Sequence, residues 1–457
     1  MTTLIKPHLD VPITSMQELI DYLGRGARPP RQWGIGTEME KLVVDAETGE
    51  AATFSRIETL LGNLERAGGW QGVREEGRLI ALVGQGSSIT LEPGGQLELS
   101  GQLCPDIHCS GGDFSRHIAE IVAAAEPLGL EFLGLGVQPF TPLEKIDWLP
   151  KARYRIMGPY MERTGDLGQS MMKRTAGLQV NLDYTDEADC FDKLRLALAM
   201  APLLYALFAN SPIMQDRPTG FLSTRGEIWS RTDPDRTGLI SCLFREGAGF
   251  ADYMEYALDI PMYFVVRGGS FVDFTRERIT FRRFLAQGYL GFRATLGDWD
   301  LHLSTLFPEA RLRPQIEIRP ADSLPPSLTL SVAALVKGLL YDETARREAW
   351  KLFGLLDREE REILYRNSWR LGLKTPFGKR TLREGALDAL ALAREGLARQ
   401  QKKDRRGLDE SIYLEGIEEI ADSGVTLAER LLARWRGTRT EKVAFLVEHC
   451  GFGTKSV

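Results

Sequence analysis

The sequence predicts an α+β fold built as one domain. Three observations carry this reading. Short alternating or β-branched segments fill the part of the chain before Pro326, and Gly or Pro bounds many of them. Helical patterns lie between them, without the strict strand–helix–strand alternation of a doubly wound sheet. After Pro326 the chain turns mostly helical. With 457 residues and 43% hydrophobic content, there is material for a sizeable core. The expected division of domain 1–457 is a helical lead-in (1–33), a sheet-rich core (34–325) and a helical C-terminal region (326–457).

The elements follow in order. Ser15-Met-Gln-Glu18 reads as a capping box opening a short helix to about Leu23. The stretch "GRGARPPRQWG" is a breaker-rich connection. Strands are expected near 35–45, 79–83, 89–92, 96–100, 131–137, 177–184, 262–267, 271–274 and 315–319. Helices are expected near 55–68, 113–128, 188–209 and 250–258, then at 328–341, 343–355, 357–366, 383–399, 410–421 and 426–435. The most apolar run, "LALAMAPLLYALFA" from Leu196 to Ala209, is shorter than the roughly 20 residues of a membrane span and carries Pro202. It reads as a buried helix.

A net charge of -6 gives no global attraction to nucleic acid or to an acidic membrane surface. The basic run Gln401–Arg406 lacks interleaved aromatic residues and reads as a solvated loop. Five irregularly spaced cysteines suggest reduced thiols and hence a cytoplasmic location. Cys104 and Cys109, with His108 between them, read as free thiols in a loop, with a metal cluster or a redox pair as the alternatives. The start "MTTLIKPHLD" shows no signal-peptide pattern. No P-loop, dinucleotide-binding fingerprint, zinc-protease motif or nucleophile elbow occurs, so any catalysis rests on carboxylates.

Those carboxylates are patterned. "GIGTEMEKLVV" carries Glu38 and Glu40; "GGQLELSG" carries Gln96 and Glu98. "AGLQVNLDY" carries Gln179, Asn181 and Asp183, and "PQIEIRPAD" carries Glu317 and Arg319. Residues two apart in a strand share a face, so each segment offers one polar and one apolar side. Acids gathered on one face repel unless a cation neutralises them. Mg²⁺, which takes oxygen ligands and bridges carboxylates to phosphates, suits that face. In "TLEPGGQLELSG" the Pro-Gly-Gly turn would set Glu92 beside Glu98 as metal ligands. Arg319 would touch a transferring phosphate while Glu317 holds the ion. Further basic candidates for phosphate are Lys173, Arg174, Arg153, Arg155 and Arg225.

Six segments together resemble glutamate–cysteine ligase of the type found in plants and many proteobacteria. They are "GIGTEMEKLVV", "TLEPGGQLELSG", "ARYRIMGPYM", "GDLGQSMMKRTAGLQVNLDY", "ALFANSP" and "DWDLHLSTLFPEARLRPQIEIRPAD", spanning Gly34 to Asp322 in consistent order. The resemblance implies a glutamine synthetase-like fold: a curved, mainly antiparallel sheet backed by helices. It implies that ATP phosphorylates the γ-carboxylate of L-glutamate and that the amine of L-cysteine displaces the phosphate, the first step of glutathione synthesis. ATP and Mg²⁺ are the implied co-substrate and cofactor. The expected partners are small molecules, with neither nucleic acid nor membrane, in a monomer or homodimer.

By motif position, Glu38, Glu40, Glu92, Glu98 and Glu317 resemble the family's metal-binding acids. Gln179 and Asn181 stand where a polar ligand for metal or nucleotide is placed. Arg319 resembles the phosphate contact, Arg153 and Arg225 the pair gripping glutamate's α-carboxylate, and Tyr263 a pocket-lining residue. One departure stands out: the family's Gly-Ala-Asp after Glu-x-Arg is here Pro320-Ala-Asp322. It leaves open a carboxylate–amine ligase with a different amine. A non-catalytic nucleotide-binding relative is a further alternative.

Overall fold

The computed structural model describes residues 7–453, so most of the N-terminal stretch read for a signal peptide lies outside the described residues. Nine strands form one sheet. They are β1 (Ile35–Asp45), β2 (Gln71–Glu75), β3 (Arg78–Val83), β4 (Ser88–Leu91), β5 (Leu97–Ser100), β6 (Leu130–Leu133), β7 (Gly177–Leu182), β8 (Ala310–Leu312) and β9 (Ile316–Asp322). The order is β8-β9-β7-β1-β5-β4-β3-β2, with β6 pairing the far end of β1. Every pairing in it is antiparallel.

Register sorts the side chains. Met39 lies opposite Leu99 and Leu178, Ile89 opposite Leu99, and Val180 opposite Ile318. All are buried in one large core cluster that also takes in residues from Leu9 to Phe452. The helices Ile107–Ala125 and Thr329–Leu340 contact β1, and Thr329–Leu340 also contacts β7. Thr329–Leu340 is buried on almost every side, which matches a sequence that is apolar but for Thr329, Ser331 and Lys337, the last paired with Glu410. The other side of β1 changes character along its length. Glu38 and Glu40 are followed by Leu42 and Val44, which pack with Leu133, Phe140, Val443 and Leu446 in a second small core. That apolar end bounds the polar part of the face.

All nine expected strands are present, with ends shifted by a few residues. The polar β2 and the short β8 carried too little pattern to be read. The expected helix 188–209 is two helices, Glu187–Ala199 and Ala201–Leu207. Pro202 lacks the N–H a continuous helix needs and sits instead in the first turn of the second. The helices Ala152–Thr164, Thr224–Ser230 and Arg439–Cys450 were not foreseen. The free-thiol reading of Cys104 and Cys109 is corrected: they form a disulfide, brought together by the turn before helix Ile107–Ala125.

One residue breaks the apolar side of β1. Lys41 is fully buried between Met39 and Val43. Its Nζ donates to the carbonyls of Met39 and Leu97 and lies 3.0 Å from His117 Nε2. Burial pulls its pKa down to about 7, against the opposing pull of Glu98 and Glu40. A lysine whose folded pKa lies below its unfolded value binds fewer protons in the fold across that window, so stability rises with pH there. Wild-type unfolding free energy should therefore climb more steeply between pH 7 and 10 than that of Lys41→Met. Parallel slopes in denaturant titrations would contradict this placement.

Candidate active site

Cross-strand register, rather than any one motif, assembles the site. On the polar side, Glu40 faces Glu98, which faces Thr90. One step along, Gln179 faces Glu38. On the next row Arg311 faces Glu317, which faces Asn181. The hairpin joining β4 to β5 adds Glu92. Glu38, Glu40, Glu92, Glu98, Gln179, Arg153, Arg311 and Arg319 line one cleft, together with Lys151, Tyr154, Trp229 and Phe307.

The hairpin is held from several directions. Gly94 presses so closely on the next segment that a Cβ would stand 2.2 Å from the Lys173 carbonyl oxygen, and Gly95 takes φ +85°. Both positions therefore require glycine. Gln96 accepts from Gly94 N and donates to the carbonyls of Met172 and Thr175. Leu149 N donates to Pro93 O, and Lys151 Nζ donates to Leu91 O at 3.0 Å.

The acids differ in state. Burial, then the charges of Glu98 and Glu317, pushes Glu38 up to about 7. Burial, then Glu92 and Glu98, pushes Glu40 up to about 8. Glu92 is raised by burial and then by Glu98. Asn181 donates to Glu38 and Gln179 Nε2 to Glu40 at 3.0 and 3.2 Å. Among the described residues, no three Asp, Glu, His or Cys side chains stand close enough together to surround one metal ion.

Glu317 is different. Burial works to raise its pKa, but Arg311 and Arg319 outweigh it and hold the carboxyl down to about 2. Both its oxygens accept from Arg311 Nη2, at 2.7 and 2.8 Å, and Arg319 Nη1 donates to one of them. It does not line the cleft. Its expected role as a metal ligand is therefore replaced: its lone pairs serve two guanidinium groups and aim Arg319. Arg319 also donates to Gln179 Oε1 and lies over the rings of Trp229 and Phe307.

Pro320 has a structural explanation. The β9–β7 register shifts between Ile318 and Ala321, so Arg319 and Pro320 together occupy a bulge. A bulge tolerates a residue without an N–H. Arg225, on helix Thr224–Ser230, donates to the carbonyls of Arg319 and Pro320 at 3.0 and 3.2 Å. It is buried behind the strand and does not line the cleft, which corrects its expected place on substrate carboxylate.

Five other expected residues are corrected by position. Lys173 donates to Leu143 O and faces a separate shallow cleft, and Arg174 donates to Thr141 O. Tyr263 is buried beneath Arg236, with its hydroxyl against Met161 Sδ. Asn181 stands one step behind Glu38 rather than in the cleft. Arg155 pairs with Glu76 at the surface. Two lining cations went unread, Lys151 and Arg311. "RLRP" holds the same two-residue spacing as the acidic strands, and that signal would have found Arg311.

The model of "Glutamate-cysteine ligase family 2" matches residues 34–449. The chain belongs to this family. It is an enzyme, a ligase. It is 41% identical over 436 residues to the chloroplastic glutamate–cysteine ligase of Medicago truncatula, covering 94% of this chain and 84% of the relative. It is likewise 41% identical over 425 residues to the chloroplastic enzyme of Arabidopsis thaliana, covering 92% and 80%. A glutamate–cysteine ligase of Francisella tularensis, solved in complex with AMP, superposes with a TM-score of 0.54 at 14% identity over 92% of this chain and 87% of that one. This last likeness shows the mixed sheet-and-helix fold. The expected cytoplasmic location does not stand, because these family members are named chloroplastic.

Glu317→Gln should cost roughly 3–5 kcal/mol of stability, since it leaves two buried guanidinium groups with half their acceptor. Urea unfolding with an unchanged midpoint would contradict the paired arrangement. Gly94→Ala should lower the midpoint as well, because backbone rather than a flexible side chain must move aside.

Proposed function

We propose that this ligase uses ATP to phosphorylate the γ-carboxylate of L-glutamate, and that the amine of L-cysteine then displaces phosphate to give γ-glutamylcysteine. The carrying observation is the meeting, in one cleft, of the buried Glu98 and the half-buried Glu38, Glu40 and Glu92 with the guanidinium of Arg319. A carboxylate is a poor electrophile because its leaving group would be an oxide; phosphorylation supplies a better one. The whole chain acts as one catalytic domain in this reading.

Mg²⁺ fits the residues present. Glu38, Glu40, Glu92 and Glu98 are hard oxygen donors, and at least three of them are raised by burial and by one another's charge. Such mutual repulsion keeps carboxylates apart or protonated, and a divalent cation reverses both. No three of these acids stand close enough to surround one ion unaided, so they would hold the metal together with the ATP phosphates, which it would neutralise and orient when bound.

The chain's own groups do the rest. Arg319, fixed by Glu317 and Gln179, directs its guanidinium at the transferring phosphoryl group. Arg311 shares Glu317 and extends that positive end. Asn181 orients Glu38, and Gln179 couples Glu40 to Arg319. Arg153 takes a substrate carboxylate. Apolar walls from Met157, Met171, Met172 and Tyr154 keep water from the acyl phosphate. A different amine acceptor was suggested by Pro320, but the bulge accounts for that residue without changing the cleft.

ADP release should require glutamate, Mg²⁺ and ATP, and should rise on adding L-cysteine. Turnover with other amines but never cysteine would overturn the choice of acceptor. Glu40→Gln and Glu92→Gln should each lower kcat at least about a hundredfold in folded protein. Full activity in both would remove the metal assignment.

A further inference from the structure

One buried carboxylate stands beside the cleft without lining it. Glu309, the residue before β8, is only 5% exposed. Both of its oxygens lie within hydrogen-bond reach of the Tyr205 hydroxyl, at 3.1 and 3.0 Å, and the Tyr365 hydroxyl donates to one of them. These phenols come from two separate helices, Ala201–Leu207 and Arg358–Leu371, and pack with Trp369 in a small core of their own. Burial raises the pKa of Glu309; the bond from Tyr365, the charge of Arg225, the bond from Tyr205 and the charge of Arg319 oppose the rise. An acid enclosed by aromatic rings costs free energy that an apolar residue of the same size would avoid. Packing alone therefore does not explain it.

The backbone of Glu309 meets the site. Its N–H donates to Gly238 O, and its carbonyl accepts from Arg319 N at 3.1 Å. Arg319 begins the bulge in β9, where pairing to β7 stops at Ile318 and resumes at Ala321. Its N–H is thus tied to Glu309 and its carbonyl to Arg225. Helix Arg358–Leu371 fixes both of those supports. Its Tyr365 bonds Glu309, and its Trp369 carbonyl accepts from Leu222 N and Ser223 N, just ahead of helix Thr224–Ser230, which carries Arg225. A bulge lacks the ladder bonds that fix an ordinary strand residue. The aim of Arg319 rests on these backbone contacts as well as on Glu317 and Gln179.

Resting on the ligase reading above, we infer that Glu309 is a positioning residue for Arg319: anchored by Tyr205 and Tyr365, it holds the backbone of the bulge, and through it the guanidinium, toward the transferring phosphoryl group. The helical region beyond Pro326 thereby serves the reaction, although none of its residues lines the cleft.

The test is a double-mutant cycle between Glu309→Gln and Arg319→Ala, followed by ADP release. Glu309→Gln keeps the side-chain volume and removes the charge. Alone, it should lower kcat about tenfold or more while the KM for glutamate and for ATP changes less than about threefold, since a misplaced guanidinium weakens the transition state more than the bound substrates. In the Arg319→Ala background the same substitution should cost nothing further. Tyr365→Phe deletes one O–H and keeps the ring, so it should give a smaller loss with the same dependence on Arg319, and it carries the cycle if Glu309→Gln does not fold. An unchanged kcat, or a loss that multiplies equally in both backgrounds, would overturn the inference and leave Glu309 a packing residue.

A crystal structure of Glu309→Gln, or of Tyr365→Phe, reads the same contact without turnover. The Arg319 guanidinium should be displaced from Gln179 and Glu317. That displacement supports the positioning role even if wild-type enzyme releases no ADP, a result that would sink only the ligase reading. An Arg319 placed as in the wild type counts against it.

Discussion

Burying several carboxylates on one side of a continuous antiparallel sheet is the constraint around which the rest is arranged. Glu40 and Glu98 are direct cross-strand partners, and Glu38 lies one step along the same strand. Like charges so placed are destabilising, and burial magnifies the effect. The molecule tolerates them because the opposite side of the same strands is packed and, apart from Thr37 and Lys41, apolar. Each strand must keep its register, since a slip of one residue would move Glu38 and Glu40 into the core and Met39 into the cleft.

The neutralisation is graded across the cleft. At one end Glu317 is saturated by Arg311 and Arg319, which leaves Arg319 fixed and positive. In the middle the acids are relieved by the neutral donors Asn181, Gln179, Ser100 and the Gly177 N–H, and two of them titrate near neutrality. At the hairpin end Lys151 and Arg153 partly offset the charge of Glu92. Such a sequence of charges suits a reaction that brings together a triphosphate, a metal and amino acids, because each finds a group of opposite sign already in place. The bulge at Pro320 belongs to the same device. It adds one residue to β9, and Arg225 satisfies the two carbonyls that the irregularity releases.

The i, i+2 spacing of Glu38–Glu40, Gln96–Glu98 and Glu317–Arg319 made the two faces of the sheet legible, because strand geometry alone decides which side chains share a side. Neighbour relations between strands were not legible from spacing, since they depend on pairings between segments far apart in sequence. Arg225 and Tyr263 were placed by resemblance to a motif, and a motif does not say whether a side chain points into a cleft or behind it. Lys173 and Arg174 failed for a related reason: their short helix turns them toward carbonyls of the 141–143 segment. Lys151 lay at a helix start, where no periodicity marks function. The Cys104–Cys109 disulfide was outweighed by the odd number and irregular spacing of the cysteines, which argued for free thiols.

The central claim is that Glu38, Glu40, Glu92 and Glu98 form the seat of a divalent cation. Mn²⁺ binding, followed by electron paramagnetic resonance in the presence of a non-hydrolysable ATP analogue, tests it without relying on turnover. The account predicts saturable binding to the wild-type protein and at least about tenfold weaker binding to Glu40→Gln and Glu98→Gln. Equal Mn²⁺ affinity in the wild type and both variants, with all three folded, would contradict it.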